Sequence, residues 1–264
     1  MELKAYAKVN WHLAVGPRRE DGYHPILSVF QTCSLHDTMD VRIDDGPFAV
    51  NVIGLEDLCG KGKSTLDKAA LAWRQATGFD RKLSVRITKR IPSQAGLGGG
   101  SSDAAALLVY LNSLLPSPMK TAELTEVAMK VGCDVPFFIH GCRAAIVTGL
   151  GEIVSPIDAR EDLEGFIIME EGEKTSTKAA YAALDGRSSI PAFENPEDLE
   201  RIYRLPVGKW DFRNDFDLVN RKPEIGVEEG ECLLLTGSGS CHILLTKRKK
   251  LDLRENQTAV QVSF

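Results

Sequence analysis

At 264 residues the chain is long enough for one large or two small domains, and 43% hydrophobic with 26% charged residues describes an ordinary globular protein. Its net charge of −5 argues against a broad nucleic-acid footprint, while leaving room for a local basic pocket. No apolar run reaches the ~20 residues that span a bilayer, residues 1–20 lack a signal-peptide layout, and the cysteines form no C-x-x-C pair, so reduced thiols in the cytoplasm are expected.

Residues 2–15 alternate as a strand, with Leu3, Ala5, Ala7, Val9, Trp11 and Leu13 on one face. Tyr6, Lys8, Asn10 and His12 share the other face, as part of a site or as a solvated edge. Gly16–His24 is a turn-rich loop with Asp21-Gly22 as its turn signal. Tyr23 and His24 end that loop as an aromatic pair, either a ligand platform or the rim of a core. Short strands are expected over Ile26–Leu35, Met39–Ile43 and Phe48–Ile53.

Gly60–Thr65 contains the Gly-Lys-Ser of a phosphate loop. However, Asp57 stands where the first glycine of G-x-x-x-x-G-K-[ST] belongs, and no buried strand leads into it. Ser64, with Asp67 three residues on, reads instead as the cap of a helix over Thr65–Thr77. A strand through Leu83, Val85 and Ile87 then enters Ile91–Ser102, IPSQAGLGGGSS, which leads into a helix over Asp103–Leu115 with serine as its preferred cap. Such a loop gathers unpaired N–H groups at the positive end of a helix dipole, which suits a phosphate; the alternative is a structural cap loop.

A second helix fits Ala122–Val131 with Thr121 as cap. Asp134 follows as the one acid in the apolar stretch Gly132–Gly141, either a general base or a satisfied structural acid. Cys133, His140 and Cys142 do not match zinc spacings. Strands are expected over Arg143–Thr148 and Gly165–Met169, and a short helix over Thr175–Leu184. Residues 186–230 carry little pattern. A buried strand at Cys232–Thr236, a second glycine loop at Gly237–Ser240, strands at His242–Thr246 and Thr258–Phe264, and a solvated basic run at Lys247–Lys250 complete the chain.

Four blocks occur in a defined order: AKVNWHL (7–13), DGYH (21–24), IPSQAGLGGGSSDAAA (91–106) with GCDVPFF (132–138), and LTGSGSC (235–241). In this order and spacing the chain resembles the GHMP kinase superfamily over nearly its whole length. GLGGGSSDAA together with DGYH is similar to the members that act on a methylerythritol carrying a cytidine diphosphate group. The resemblance implies an α/β (α+β) fold of two domains: an amino-terminal ribosomal-S5-domain-2-like, ATP-binding domain (1–155) and a smaller carboxy-terminal α/β domain (156–264). The second domain is expected to be shortened, since only the acidic stretch Pro223–Glu231 stands where the family has a longer helical segment.

The resemblance further implies ATP and Mg²⁺ as cofactors and γ-phosphoryl transfer to the 2-hydroxyl of the methylerythritol moiety. The nucleotide phosphates would lie on Pro92, Ser93, Gln94, Ala95, Gly96, Leu97, Gly98, Gly99, Gly100, Ser101 and Ser102. Asp134 would be the base and Lys8 its charge partner. The substrate would be bound by Asn10, Tyr23, His24, Thr177 and Tyr181: Asn10 would contact the methylerythritol end, Tyr23 and Tyr181 would flank the cytosine, and His24 would hydrogen-bond its edge. Ser101 or Ser102 could face the metal, for which no carboxylate ligand is named. The partner implied is a small molecule, with neither nucleic acid nor membrane; the oligomeric state is left open.

Overall fold

A computed structural model describes residues 1–60, 62–170, 176–186, 193–220, 222–239 and 241–264, so Thr175 and Ser240 lie outside the described residues. The chain forms two compact units, one of residues 1–7, 35–93 and 98–142, the other of residues 8–34, 94–97 and 143–264. Helices and antiparallel and parallel strands are mixed in the α/β manner expected.

Strand β1 (Glu2–Val15) starts in the first unit and continues in the second. From Ala7 onward it is buried on both faces, so the polar face is not a solvated edge: Lys8, Asn10 and His12 are 3%, 2% and 1% exposed. Strand β2 (Ile26–Asp44) joins the two segments that polar residues 36–38 seemed to separate in sequence. The break disappears because Asp37 satisfies its carboxylate internally, accepting from the backbone N–H groups of Arg90 and Ile91.

In the first unit, β3 (Ala49–Ile53) runs parallel to β4 (Lys82–Thr88), which is antiparallel to residues 38–44 of β2. The parallel pair needs a crossover, supplied by helix α1 (Thr65–Thr77). Ser64 caps it in a reciprocal box with Asp67, as the spacing predicts, and left-handed Gly78 closes it. Helices α2 (Gly99–Ser113), α3 (Thr121–Met129) and α4 (Val135–Ile139) complete the unit. Its core joins Trp73 of α1, Leu83 and Val85 of β4, Leu107 and Leu108 of α2 and Val127 of α3. At roughly 1.5–3 kcal/mol per buried large apolar side chain, this core dominates any single cap.

Helix α2 begins earlier than the apolar run suggests. Its cap is Gly98 in the left-handed region, and no side chain caps it, so Ser101 and Ser102 lie within the first turn. α3 likewise starts one residue early, with Lys120 as cap and its N–H donated to Glu123.

In the second unit, residues 26–31 of β2 pair antiparallel with β5 (Ala144–Gly149), which pairs with β6 (Ile153–Ile157). β6, for which the sequence analysis sets out no strand, is the edge of its sheet, the position where Pro156 is tolerated. A four-stranded antiparallel sheet follows from β7 (Glu164–Glu170), β8 (Cys232–Thr236), β9 (Cys241–Leu245) and β10 (Gln257–Ser263), ordered β10-β7-β9-β8. Helix α5 (Thr177–Asp185) starts just after Ser176, its cap. The weakly patterned region contains α6 (Pro196–Tyr203), opened by Asn195 as cap and Pro196 at the first turn.

In the acidic stretch that stands in place of the family's longer helical segment, residues 222–231 form no helix. Ile225 and Leu251 instead pack on Phe166, Ile168 and Leu244 of the sheet. Arg248 ties this strap down by pairing with Glu231 and donating to the Gly226 carbonyl at 2.7 Å. The run Lys247–Lys250 is therefore not uniformly solvated: its arginine is structural.

Candidate functional site

Lys8 is the centre of a buried polar node in the second unit. Its ammonium donates to Asn10 Oδ1 at 2.6 Å and lies 4.5 Å above the Phe30 ring. An ammonium removed from water is costly unless hydrogen-bonded and near negative charge or π-density, so this placement is enforced by the fold. Asn10 is itself fixed on every side. Its side-chain amide donates to Ser28 Oγ at 2.9 Å, its Oδ1 also accepts from the Gly237 N–H at 3.1 Å, and its own N–H donates to Thr236 Oγ1 at 2.9 Å. Ser28 in turn donates to the His12 carbonyl.

The two glycine loops meet at this node. Lys8 N–H donates to the Leu97 carbonyl at 3.0 Å, tying β1 to the first loop. A Cβ at Gly96 would fall 2.7 Å from the Thr236 carbonyl, and one at Gly237 would fall 2.5 Å from Gly96 Cα. Only glycine fits where two backbones approach so closely. Asn214 holds the second loop from behind, donating to the carbonyls of Leu235 and Gly237.

A second cluster in the same unit gathers the aromatic residues. Tyr23 follows the Asp21-Gly22 turn and is 57% exposed, with its N–H donated to Asp21. His24 is buried: Nδ1–H donates to the Gly16 carbonyl at 2.9 Å, an assignment made from the bond partner, and Nε2 lies 3.3 Å from Asp185. The Tyr181 ring lies 5.1 Å from the His24 ring and meets Phe216 edge-on at 4.9 Å. Thr177, Tyr181 and Asp185 recur every four residues on α5 and so share one face, which meets His24 and the second glycine loop. Thr177 Oγ1 sits 3.0 Å from Ser238 Oγ of the second glycine loop.

The remaining candidates lie in the first unit. Pro92 and Ser93 enter the loop there, Gln94–Leu97 belong to the second unit, and Gly98–Ser102 return to the first as the start of α2. The first-turn N–H groups of α2 have no intrahelical acceptor ahead of them, and no acidic side chain occupies that turn. The helix end is therefore electropositive and uncompensated by its own residues. Asp134 is half-buried at the start of α4. α4 packs on α2, and a side chain at Gly132 would come within 4.0 Å of Ser101 Oγ, so the Asp134 segment runs beside the phosphate-suited turn. Also in this unit, a cavity of about 290 Å³ at the start of α1 is lined by Asn51, Ile53, Leu55, Cys59, Ser64 and Asp67.

The structure thus brings Lys8, Asn10, Gly96 and Leu97 together, groups Tyr23 and His24 on one loop with Tyr181 against His24, and sets Gly132, two residues before Asp134, beside Ser101. Lys8 and Asp134 belong to different units. Sequence reasoning missed Ser28, Thr236, Asn214 and the α1 cavity, whose partners are remote in the chain. Asp185 carried a signal, the i, i+4, i+8 spacing with Thr177 and Tyr181.

Comparison with known proteins places these features in a family. Residues 64–142 match the GHMP kinases N terminal domain. A 4-diphosphocytidyl-2-C-methyl-D-erythritol kinase from Thermotoga petrophila is 39% identical over 204 residues, 76% of this chain and 72% of that protein. The kinase of that name from Geobacter sulfurreducens is 34% identical over 269 aligned positions, covering 96% of this chain and 92% of its own. A crystal structure of 4-(cytidine 5'-diphospho)-2C-methyl-D-erythritol kinase superposes over all of both chains, with a TM-score of 0.74 and 28% identity. The mevalonate kinase of Methanococcus jannaschii, 12% identical with a TM-score of 0.68, shares the fold. The chain therefore belongs to the 4-diphosphocytidyl-2-C-methyl-D-erythritol kinase family of the GHMP kinases.

Proposed function

We propose that this chain uses ATP to phosphorylate the 2-hydroxyl of 4-diphosphocytidyl-2-C-methyl-D-erythritol, in the methylerythritol phosphate route to isoprenoid precursors. The observation that carries this reading is the extent of likeness: the match to the Geobacter sulfurreducens kinase spans 96% of the chain and is not confined to the glycine loop.

Pro92–Ser102 fit the nucleotide phosphates, because the α2 start offers first-turn N–H donors and no competing carboxylate. The cavity at the start of α1, a helix packed on α2, would take the nucleoside end. ATP supplies the transferable γ-phosphoryl and leaves as ADP. Among the described residues no cluster of three His, Cys, Asp or Glu could hold a metal, so Mg²⁺ would enter on the nucleotide with Ser101 or Ser102 facing it.

Phosphoryl transfer asks a protein mainly for positioning and charge stabilisation. Asp134 accepts the proton of the 2-hydroxyl as that oxygen bonds to phosphorus. Lys8, aimed by Asn10, supplies positive charge where the transferring group carries negative charge. Asn10 would also contact the methylerythritol end. Tyr23 stacks on the cytosine and Tyr181 closes its other side. His24 reads the edge: with Nδ1–H held by the Gly16 carbonyl, Nε2 is the ring nitrogen left to accept from the exocyclic amino group of the base. Stacking gives affinity and the polar edge gives identity.

The test is ATP turnover with a panel of acceptors. Stimulation by the cytidyl substrate alone is expected. Stimulation by homoserine or mevalonate, with none by the cytidyl substrate, would sink the assignment.

A further inference from the structure

Lys89, Asp37 and Asp103 form a buried ionic node that the mechanism above does not use. Lys89 Nζ donates to Asp37 Oδ2 at 2.5 Å and to Asp103 Oδ2 at 2.8 Å. The side chains of Asp37 and Asp103 are 0% and 2% exposed, and that of Lys89 is 16% exposed. Asp37 Oδ1 also accepts from the N–H groups of Arg90 at 2.5 Å and Ile91 at 2.9 Å. Ile91 opens the glycine-rich run, and Asp103 sits in α2 just after its last serine. One ammonium therefore ties down the entry and the exit of the loop.

The approach is tight. A Cβ at Gly99, the first residue of α2, would lie 2.9 Å from Ile91 Cγ2 and 3.4 Å from Lys89 Nζ. The start of the helix is pressed directly onto the loop entry and onto the ammonium that holds it. Two buried carboxylates facing one ammonium are a poor way to stabilise a core, since apolar residues of like volume do as well or better. What such a node supplies is a fixed orientation of the backbone attached to it.

We propose that Lys89 is a positioning residue for nucleotide binding: by bridging Asp37 and Asp103 it sets loop entry and helix start so that the first-turn N–H groups of α2 converge on one phosphate. This inference rests on the reading that Pro92–Ser102 hold the nucleotide phosphates. Burial pushes the Asp103 carboxyl up to about 7, with Lys89 pulling the other way. Its Oδ1 has no hydrogen-bond partner among the described residues. Asp37 lies close enough to raise Asp103 as well, so without the shared ammonium the two carboxylates oppose each other and the helix start loses its tether to the loop entry.

The experiment compares Lys89→Met, Lys89→Gln and Lys89→Arg with wild type in the full chain, varying ATP and the cytidyl acceptor separately. Lys89→Met should raise KM for ATP about ten- to hundredfold, the range for a lost charge-assisted hydrogen bond. KM for the acceptor should stay within about twofold, because uniform binding of the acceptor is not touched. Lys89→Arg should recover most of the ATP affinity, as a guanidinium can bridge two carboxylates. Where Lys89→Met does not fold, Lys89→Gln, which is polar but one bond shorter and uncharged and so cannot bridge both carboxylates, must show the same split. A lower melting temperature with unchanged KM for ATP, or equal rises in both KM values, overturns the proposal. Amide exchange of residues 91–102 with and without ATP separates the two levels. Absence of protection in wild type overturns the loop assignment and Lys89's role with it, whereas protection together with an unaltered ATP KM in the variants overturns Lys89's role alone.

Discussion

In the mechanism proposed above, Asp134 and Lys8 divide the chemistry between an acceptor of a proton and a source of positive charge, and they belong to different units. Asp134→Asn keeps the volume and the start of α4 but leaves no group that can take the hydroxyl proton. Turnover should fall about 10²–10⁴-fold, the usual contribution of a positioned base. Nucleotide affinity measured by calorimetry should remain near that of wild type, because the phosphate-suited N–H groups lie on α2. Wild-type turnover in the variant would remove Asp134 from the base role. Both residues stand out in sequence as candidates because their flanking blocks, AKVN and GCDVPFF, carry them. The pairings of Asn10 with Ser28 and Thr236 were not legible there: the bond from Asn10 to Thr236 joins residues 226 apart in the chain, and although both lie in marked blocks nothing local pairs them. Asp37 was hidden differently. It read as a break between strands because a carboxylate in a strand looks solvated until its backbone donors are known.

At the level of elements, the glycine loops act as a matched pair of close backbone approaches. Gly96 has φ +73 and no room for a Cβ, while Gly78, the left-handed residue closing α1, has φ +71 and open space around it. The two positions share the backbone penalty and differ in the contact. Gly78→Ala should cost about 1 kcal/mol, the penalty of φ > 0 alone. Gly96→Ala should cost distinctly more, since the added methyl must push apart the loop and the Thr236–Gly237 backbone. Urea denaturation of both variants measures the difference; equal losses would show that the two loops do not depend on each other's proximity. Local rules read α1 correctly at both ends, because its cap box and its closing glycine lie within the helix's own neighbourhood. They missed β6, whose partner strand alone makes it a strand, and they placed the α2 start too late, because three consecutive glycines read as loop even where the helix has begun.

Across the whole molecule, proton linkage is set by a few buried groups of opposite sign. Burial lowers His12 to about 4, against the pull of Glu194, and lowers His242 to about 4, against that of Glu170. Both folded values lie below the unfolded 6.5, so their stability contribution is full above pH 6.5 and is lost as pH falls toward 4. In that window the unfolded chain binds protons that the folded chain refuses. A shift of this size corresponds to on the order of 3 kcal/mol per histidine. Asp103 has the opposite sign: its carboxyl is raised by burial to about 7, so its contribution is full below the unfolded value near 4 and is lost as pH climbs through 7. Acidification from pH 6.5 to 4 therefore sets two losses against at least one gain, and the net slope alone does not identify any of them. Single variants do. His242→Gln removes one titrating ring from a site where Nε2 has no hydrogen-bond partner among the described residues, so it leaves no new unpaired charge. Its loss of stability between pH 6.5 and 4 should be smaller than that of wild type by on the order of 3 kcal/mol. Asp103→Asn should make the same acid loss steeper, by removing the opposing gain. Urea midpoints taken across this range for the three proteins decide the matter: parallel pH profiles would mean that neither group carries the linkage, whereas divergence in opposite directions would tie the acid limit of the fold to His242 and its alkaline drift to the carboxylate that Lys89 holds.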